Sequence, residues 1–183
     1  VTAGGIARFS LDAQPEVWSP AKPHLYDVVV RYESDIVQDR IGFRTIATDG
    51  DEILLNGEPV FLRGISLHES APNREGRAYS ENDARELLGA AIELGCNFVR
   101  LAHYPHNEHM LRVADELGLM VWAEIPVYWT IDFESEAVFA KAKQQLDEMI
   151  ARDANRASIV LWSWFRDSRA MSATAMVIIR PPE

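Results

Sequence analysis

The sequence predicts an α/β fold in which a short antiparallel β module precedes the first half of a (β/α)8 barrel. Residues 1–62 contain apolar and polar runs separated by turn residues, which is typical of antiparallel strands. From residue 59 onward, apolar runs of strand length alternate with helical patterns, which favours a parallel sheet with crossover helices. Four such strands are present, whereas a complete barrel has eight and takes about 250 residues.

The antiparallel module is predicted from alternation and from turn residues. Residues 6–11 alternate apolar with polar side chains, and residues 26–32 are rich in the β-branched and aromatic types that strands favour. Between them, residues 18–26 contain two prolines and two large aromatic side chains, a stiff connection that can cover the end of a sheet. Two dipeptides then mark tight hairpin turns: Asp49-Gly50 and Asn56-Gly57.

The barrel segment is predicted to contain four strands and three intervening helices. The strands are residues 60–67, the apolar start of 97–106, 119–126 and 158–162, and the helices lie between Ser80 and Gly95, at 107–117 and at 135–151. Ser80 and Asp83 resemble a capping box, and Gly118 repeats the helix–glycine–strand order seen at Gly95. The periodicity of the third helix predicts a buried side, formed by Val138, Phe139, Ala142, Leu146, Met149 and Ile150.

Residues 97–106 are the strongest functional candidate. An apolar strand passes directly into His103, Tyr104, Pro105 and His106, as expected when a buried strand delivers polar side chains to a pocket. Other strands also end on polar or aromatic groups, namely His68, Glu69, Glu124, Tyr128 and Trp129. In a parallel barrel these ends share the face that carries the active site. The alternative is a polar plug in which these side chains only satisfy one another.

Composition excludes some classes of partner. The formal net charge is −10, which argues against a nucleic-acid or anionic-membrane surface because such surfaces need clustered lysine and arginine. No apolar run approaches the roughly 20 residues that cross a bilayer. The single cysteine, Cys96, is expected to be a small buried filler, and the sequence indicates no particular compartment.

Five motifs occur in order: IGFR at residues 41–44, LRGISLHE at 62–69, FVRLAHYP at 98–105, DELGLMVWAE at 115–124 and NRASIVLWS at 155–163. Together they resemble the signatures of glycoside hydrolase family 2, the family of β-galactosidases, β-glucuronidases and β-mannosidases. The resemblance implies that residues 1–46 end an immunoglobulin-like β-sandwich and that residues 47–163 form the N-terminal half of a TIM barrel. Residues 164–183 carry no family resemblance.

The resemblance also implies retaining glycosidase chemistry, in which two carboxylates about 5 Å apart act as acid/base and nucleophile. In the family the acid/base glutamate follows the fourth strand in a Trp-Ser-x-x-Asn-Glu motif. Here Trp162-Ser163 is followed, at the Asn-Glu positions, by Arg166-Asp167. The nucleophile segment is not found either. We therefore expect a fragment of a β-glycosidase that is inactive as given, with Asp167 at the acid/base position and a frame disruption or truncation explaining the tail.

Substrate-binding roles follow from the same resemblance. His103 is expected to line the sugar subsite, with His68, Arg100, Tyr104 and Trp129 as further candidates for contact with carbohydrate. No cofactor is implied. For the two strand-end carboxylates, ion pairs are favoured over pocket roles, pairing Glu69 and Glu124 with Arg63 and Arg100.

Two alternatives stay open beside the glycosidase fragment. One is a non-catalytic sugar-binding or structural fragment. The other is a metal-dependent TIM-barrel hydrolase whose metal would be bound by His103, His106 and His109 together with Glu108, His68, Glu69 and Glu124. The spacing of the first three, interrupted by Pro105, does not suit a tetrahedral site. Finally, the first and fourth strands of an open barrel would leave unpaired edges, which predicts that the chain self-associates or needs a partner.

Overall fold

The computed structural model describes residues 7, 9–128, 131–132 and 134–163. Within these residues the chain forms nine strands and three helices. Their order is β1 (Tyr26–Tyr32), β2 (Asp35–Ile41), β3 (Ile46–Asp49), β4 (Glu52–Leu55), β5 (Glu58–Pro59), β6 (Gly64–Leu67), α1 (Glu81–Glu93), β7 (Phe98–Leu101), α2 (Glu108–Leu117), β8 (Met120–Glu124), α3 (Glu136–Asp153) and β9 (Ile159–Ser163). None of these helices is both long and apolar enough to cross a membrane.

The antiparallel part consists of two small sheets. β1 pairs with β2 in a hairpin, and β3, β4 and β5 form a three-stranded meander. The strand predicted at residues 26–32 and both predicted turns are confirmed, with positive φ angles of 54° at Gly50 and 55° at Asn56. Residues 9–11, by contrast, belong to no strand, so the alternation there does not produce one among the described residues.

The barrel part is a parallel sheet in the order β6-β7-β8-β9, which confirms the predicted succession of strands and crossover helices. The first strand is shorter than predicted, because it begins at Gly64 instead of residue 60. The side chain of Asn97 explains the difference. It accepts the Arg63 N–H at 2.7 Å and donates to the Phe61 carbonyl at 2.9 Å, so a side chain replaces the strand ladder there.

Helix ends follow the local signals in the sequence. Ser80 caps α1 in a capping box with Asp83. The Asp83 carboxylate accepts hydrogen bonds, of which that from the Tyr79 N–H has the largest effect, and they hold the pKa of Asp83 below its ordinary value. After α1, Gly95 adopts a φ of 81° and donates to Ile92, which is the expected glycine termination. Gly118 likewise ends α2, as predicted. The helices predicted to begin at residues 107 and 135 begin one residue later, because Asn107 and Ser135 are their N-caps.

The main core lies between the helices and the parallel sheet, where Leu88, Met110 and Val121 are fully buried. The predicted buried side of α3 is correct for Leu146 and Met149. It is wrong for Phe139, whose side chain is 51% exposed. Phe139 lies in the first turns of α3 and lines an open apolar cleft with Val127 and Ile131. Periodicity therefore gave the correct face of the helix, but the closed core does not extend to Phe139.

A second cluster closes the amino end of the parallel sheet. Trp18 is completely buried there and donates its indole N–H to the Asp115 carbonyl at 2.8 Å, which confirms that residues 18–26 cover a sheet end. The Arg44 guanidinium donates to the carbonyls of Ala157 and Ile159. These contacts attach the N-terminal β module to the start of β9.

An ionic cluster reinforces the same junction. Asp115 is fully buried, accepts the Ser158 N–H at 2.7 Å and faces Arg156 at 3.3 Å. Arg156 also pairs with Asp39 of β2, which in turn pairs with Arg112 of α2. Burial, only partly offset by these donors, raises the pKa of Asp115 from its ordinary value of 3.8 to about 6.

This raised pKa predicts a pH-dependent contribution to stability. Because the folded pKa lies above the unfolded value, the folded state holds the proton more tightly, and the stabilisation present at low pH is lost as pH rises through 6. Between pH 4.5 and 7.5, wild type should lose about 2 kcal/mol of unfolding free energy relative to Asp115→Asn in urea titrations. A control, Asp147→Asn on the exposed face of α3, should follow wild type; parallel curves for wild type and Asp115→Asn would contradict the assignment.

Candidate functional site

The candidate site lies at the carboxyl ends of β6, β7 and β8. His68 follows β6, His103 follows β7, and Glu124 is the last residue of β8. Because these neighbouring strands are parallel and in register, the three ends meet at one edge of the sheet. The sheet thereby brings together side chains that are far apart in the sequence.

A buried ion pair forms the base of the site. Arg100 binds Glu124 through two hydrogen bonds, from Nε to Oε1 at 2.9 Å and from Nη2 to Oε2 at 3.0 Å, which confirms the predicted pairing. The guanidinium lies 4.4 Å from the ring centre of Trp122, whose indole N–H donates to the Ser163 hydroxyl at 2.7 Å. Arg100 is therefore held on two sides, and Glu124 is almost completely buried.

His103 is oriented by the same carboxylate. Its Nδ1 lies 3.0 Å from Glu124 Oε1, and since a carboxylate only accepts hydrogen bonds, Nδ1 carries the proton of this contact. The longer approach of Arg100 Nη2, at 3.3 Å, is the weaker alternative. Within the described residues Nε2 has no hydrogen-bond partner, which leaves this nitrogen available to a ligand.

Aromatic rings surround His103. The rings of His68 and Tyr128 lie 5.3 Å and 5.9 Å from it, and the Tyr104 hydroxyl is 3.5 Å from His68 Nδ1. Tyr104 also stacks on His106 at 5.1 Å. The ring faces and polar edges of such a cluster suit a ligand that has both C–H and hydroxyl groups.

The second strand-end carboxylate does not have the predicted partner. Glu69 pairs with Arg77, with 2.7 Å between Oε2 and Nε, and not with Arg63. The prediction was wrong because Arg63 precedes β6 whereas Glu69 follows it, and six extended residues span roughly 20 Å. Arg63 instead approaches the Gly95 carbonyl.

His106 is part of the loop structure. It is 2% exposed, its Nε2–H donates to the Ala102 carbonyl at 3.0 Å, and burial lowers its pKa. His109 is exposed on α2. The part of the chain that the structure describes contains no group of three or more His, Cys, Asp or Glu side chains placed to hold a metal ion.

Four of the candidate substrate-binding residues lie together: Arg100, His103, Tyr104 and His68. Trp129 and Asp167 lie outside the described residues. Sequence reasoning missed Trp122, Arg77 and Asn107. Trp122 could have been found from its register, because it pairs with Arg100 on the neighbouring strand. Its apolar neighbours in the sequence indicated a core residue instead.

A parallel sheet that collects such groups at its carboxyl ends is the architecture of the catalytic face of a (β/α)8-barrel enzyme. The sequence matches the profile described as "Glycosyl hydrolases family 2, TIM barrel domain" over residues 46–179 and that described as "Glycosyl hydrolases family 2" over residues 5–44. The chain belongs to glycoside hydrolase family 2.

The curated relatives and the similar solved structures agree with this family assignment. A β-galactosidase of Arthrobacter sp. (strain B7) is 34% identical over 172 residues, which are 89% of this chain and 17% of that protein. A β-galactosidase of Thermoanaerobacterium thermosulfurigenes is 39% identical over 155 residues, 80% of this chain and 21% of the relative. The chain thus spans about a fifth of the length of these curated relatives.

Among solved structures, a β-glucuronidase from Ruminococcus gnavus in complex with a uronic isofagomine superposes with a TM-score of 0.75 at 29% identity, covering 87% of this chain and 29% of the other. A family 2 β-galacturonidase from Eisenbergiella tayi, bound to galacturonate, superposes with a TM-score of 0.71 at 34% identity. The match covers 80% of this chain and 27% of the galacturonidase chain. These similarities support the half-barrel architecture derived above.

The site geometry predicts different costs for two neighbouring substitutions. Leu101→Ala should lower the free energy of unfolding by about 2–4 kcal/mol, because Leu101 is 2% exposed in the core. His103→Ala should cost only about 1 kcal/mol, because Glu124 keeps both hydrogen bonds to Arg100. Circular-dichroism denaturation of both variants measures the difference, and equal losses would show that His103 is a packing residue.

Proposed function

We propose that the cluster around His103 forms one wall of the sugar subsite of a retaining β-glycosidase acting on β-galactosides or β-glucuronides. The observation that carries this proposal is the arrangement of His103 beside the His68 and Tyr128 rings. Glu124 holds Nδ1, and Nε2 has no hydrogen-bond partner among the described residues. The relatives named β-galactosidase and the structures named β-glucuronidase supply the two substrate classes.

The described part of this wall recognises a sugar but does not react with it. Retaining hydrolysis needs one carboxyl group to protonate the leaving oxygen and a second to attack the anomeric carbon. Glu124 is bound to Arg100 and Glu69 to Arg77, and both carboxylates are 2% exposed. They orient other groups and are not the catalytic pair.

We further propose that the chain as printed hydrolyses no glycoside. At the position of the family's acid/base glutamate the sequence has Asp167, whose side chain is one methylene shorter, preceded by Arg166. A carboxyl group displaced by about that bond length loses most of its effectiveness, because catalysis depends on near-attack geometry. The proposal therefore separates sugar recognition from turnover.

One experiment tests both parts. The isotope-labelled chain is titrated with nitrophenyl β-D-galactoside and nitrophenyl β-D-glucuronide, while NMR follows the signals of Tyr104 and Tyr128 and absorbance follows released nitrophenolate. At least one of the two ligands should shift these signals saturably. Nitrophenolate release should stay at the level of an Asp167→Ala control.

Two variants make the recognition test specific. His103→Ala should weaken binding by about tenfold, the loss of one hydrogen bond that involves an orienting carboxylate. His109→Ala, which removes an exposed histidine outside the cluster, should bind like wild type. Equal affinities for wild type and His103→Ala would refute the sugar wall, and turnover well above that of Asp167→Ala would refute the inactive state.

We also infer that the chain as printed self-associates. Among the described strands of the parallel sheet, β6 and β9 each pair with one neighbour only, and Phe61 beside β6 is 77% exposed. Light scattering at micromolar concentration should give a mass above that of one chain, and Ser66→Lys on the edge strand β6 should reduce it. A cooperatively unfolding monomer would contradict this inference.

A further inference from the structure

We propose that Glu69 is a positioning residue for the loop at residues 102–107, which carries His103 and Tyr104. The Glu69 carboxylate is buried and acts through Asn107, the last residue of this loop. The proposal rests on the function proposed above, because it assigns Glu69 a role in orienting the sugar wall.

The contacts of the carboxylate connect three segments of chain. Oε1 accepts the backbone N–H of Asn107 and its side-chain Nδ2–H, the latter at 2.8 Å. Oε2 accepts Nε–H of Arg77 at 2.7 Å and a second N–H from the same guanidinium. Four donors on two oxygens fit an acceptor-only carboxylate that is 2% exposed. The end of β6 is thereby bound both to the loop and to the segment that precedes α1.

The backbone of the loop is hydrogen-bonded at its two ends. At its start, the Ala102 N–H donates to the Leu67 carbonyl at 2.9 Å. Near its end, Arg152 of α3 donates to the His106 carbonyl at 2.9 Å, and Glu69 holds Asn107. Within the described residues no backbone hydrogen bond reaches His103 or Tyr104 themselves. The backbone path of His103 and Tyr104 therefore depends on these end contacts, whereas Glu124 also holds the His103 ring.

Asn107 connects Glu69 to the loop and to α2, because its side chain makes two further hydrogen bonds. Its Oδ1 caps α2 by accepting the His109 N–H at 2.9 Å, and its Nδ2 also donates to the Ala78 carbonyl at 2.7 Å. The Glu69 carboxylate fixes this side chain and lies at the positive end of the α2 dipole. In addition, the backbone N–H of Glu69 lies 3.4 Å from the Tyr104 hydroxyl.

Asp115 provides a matched control for a purely structural role. It is also a buried carboxylate that accepts one backbone N–H, from Ser158, and contacts one arginine, Arg156. It lies at the opposite end of the sheet, and within the described residues its side-chain hydrogen bonds and ion pair reach Arg156 and Ser158 and none of residues 102–107. Removal of either carboxylate should destabilise the fold, but only the loss of Glu69 should change the environment of His103.

The test compares Glu69→Ala, Glu69→Gln and Asp115→Ala in the chain of 183 residues. Imidazole ¹⁵N signals report the tautomer and contacts of His103, and hydrogen exchange reports the Asn107 amide. Glu69→Ala should shift the His103 signals and accelerate Asn107 exchange by at least tenfold. Glu69→Gln should restore both readouts because its carbonyl oxygen can still accept from Asn107. Asp115→Ala should lower the melting temperature and leave both readouts unchanged.

The outcomes are decisive in either direction. Unchanged His103 signals in Glu69→Ala, or an equal shift in Asp115→Ala, would overturn the proposal. If Glu69→Ala does not fold, Glu69→Asp replaces it, since it keeps the charge for Arg77 but withdraws the carboxylate from Asn107; unchanged His103 signals in that variant would again overturn the proposal.

Sugar binding separates this proposal from the function on which it rests. With methyl β-D-galactoside and methyl β-D-glucuronide as probes, Glu69→Ala should bind about tenfold more weakly than wild type, equivalent to about 1.4 kcal/mol. If wild type binds neither probe, the proposed function fails while the His103 signals still decide the role of Glu69. Wild-type affinity in Glu69→Ala despite shifted His103 signals would refute the link between loop position and binding.

Discussion

The paired hydrogen bonds between Arg100 and Glu124 are the interaction on which the site depends. A carboxylate as buried as Glu124 is tolerated only when its charge and lone pairs are compensated, and Arg100 supplies two of the necessary hydrogen bonds. The same carboxylate also accepts a hydrogen bond from Nδ1–H of His103, which fixes the orientation of the imidazole ring. The orientation of the His103 ring is therefore a consequence of a charge pair that joins two neighbouring strands.

Buried carboxylates lie at both ends of the parallel sheet, and at both ends arginine side chains compensate their charge. At the amino end, Asp115 is compensated by Ser158 and Arg156, and the result attaches the N-terminal β module to the barrel. At the carboxyl end, Glu69 and Glu124 are compensated by arginines, and the result orients side chains that face the candidate site. Barrel enzymes in general separate stability from function in this way.

How well the sequence predicted each feature depends on how local its physical cause is. Ser80, Gly95 and Gly118 act on the backbone within a few residues, so the helix ends were predictable. The partner of Glu69 was not, because the choice between Arg63 and Arg77 depends on which end of β6 each residue occupies. Hydrophobic periodicity likewise gives the direction of a side chain but not the extent of the core, as the exposed Phe139 shows.

The same charge pairs bear on catalysis, because they occupy both carboxylates of the proposed sugar wall. A general acid must be protonated beside the leaving oxygen, and a nucleophile must be free of competing partners. Glu69 already accepts from Arg77 and Asn107, and Glu124 from Arg100 and His103. Releasing Glu124 would leave the partly buried Arg100 without its partner, and releasing Glu69 would leave Asn107 without its acceptor. Any reactive carboxylate must therefore be additional to Glu69 and Glu124, and the proposed replacement of Asn-Glu by Arg166-Asp167 would concern that second group alone.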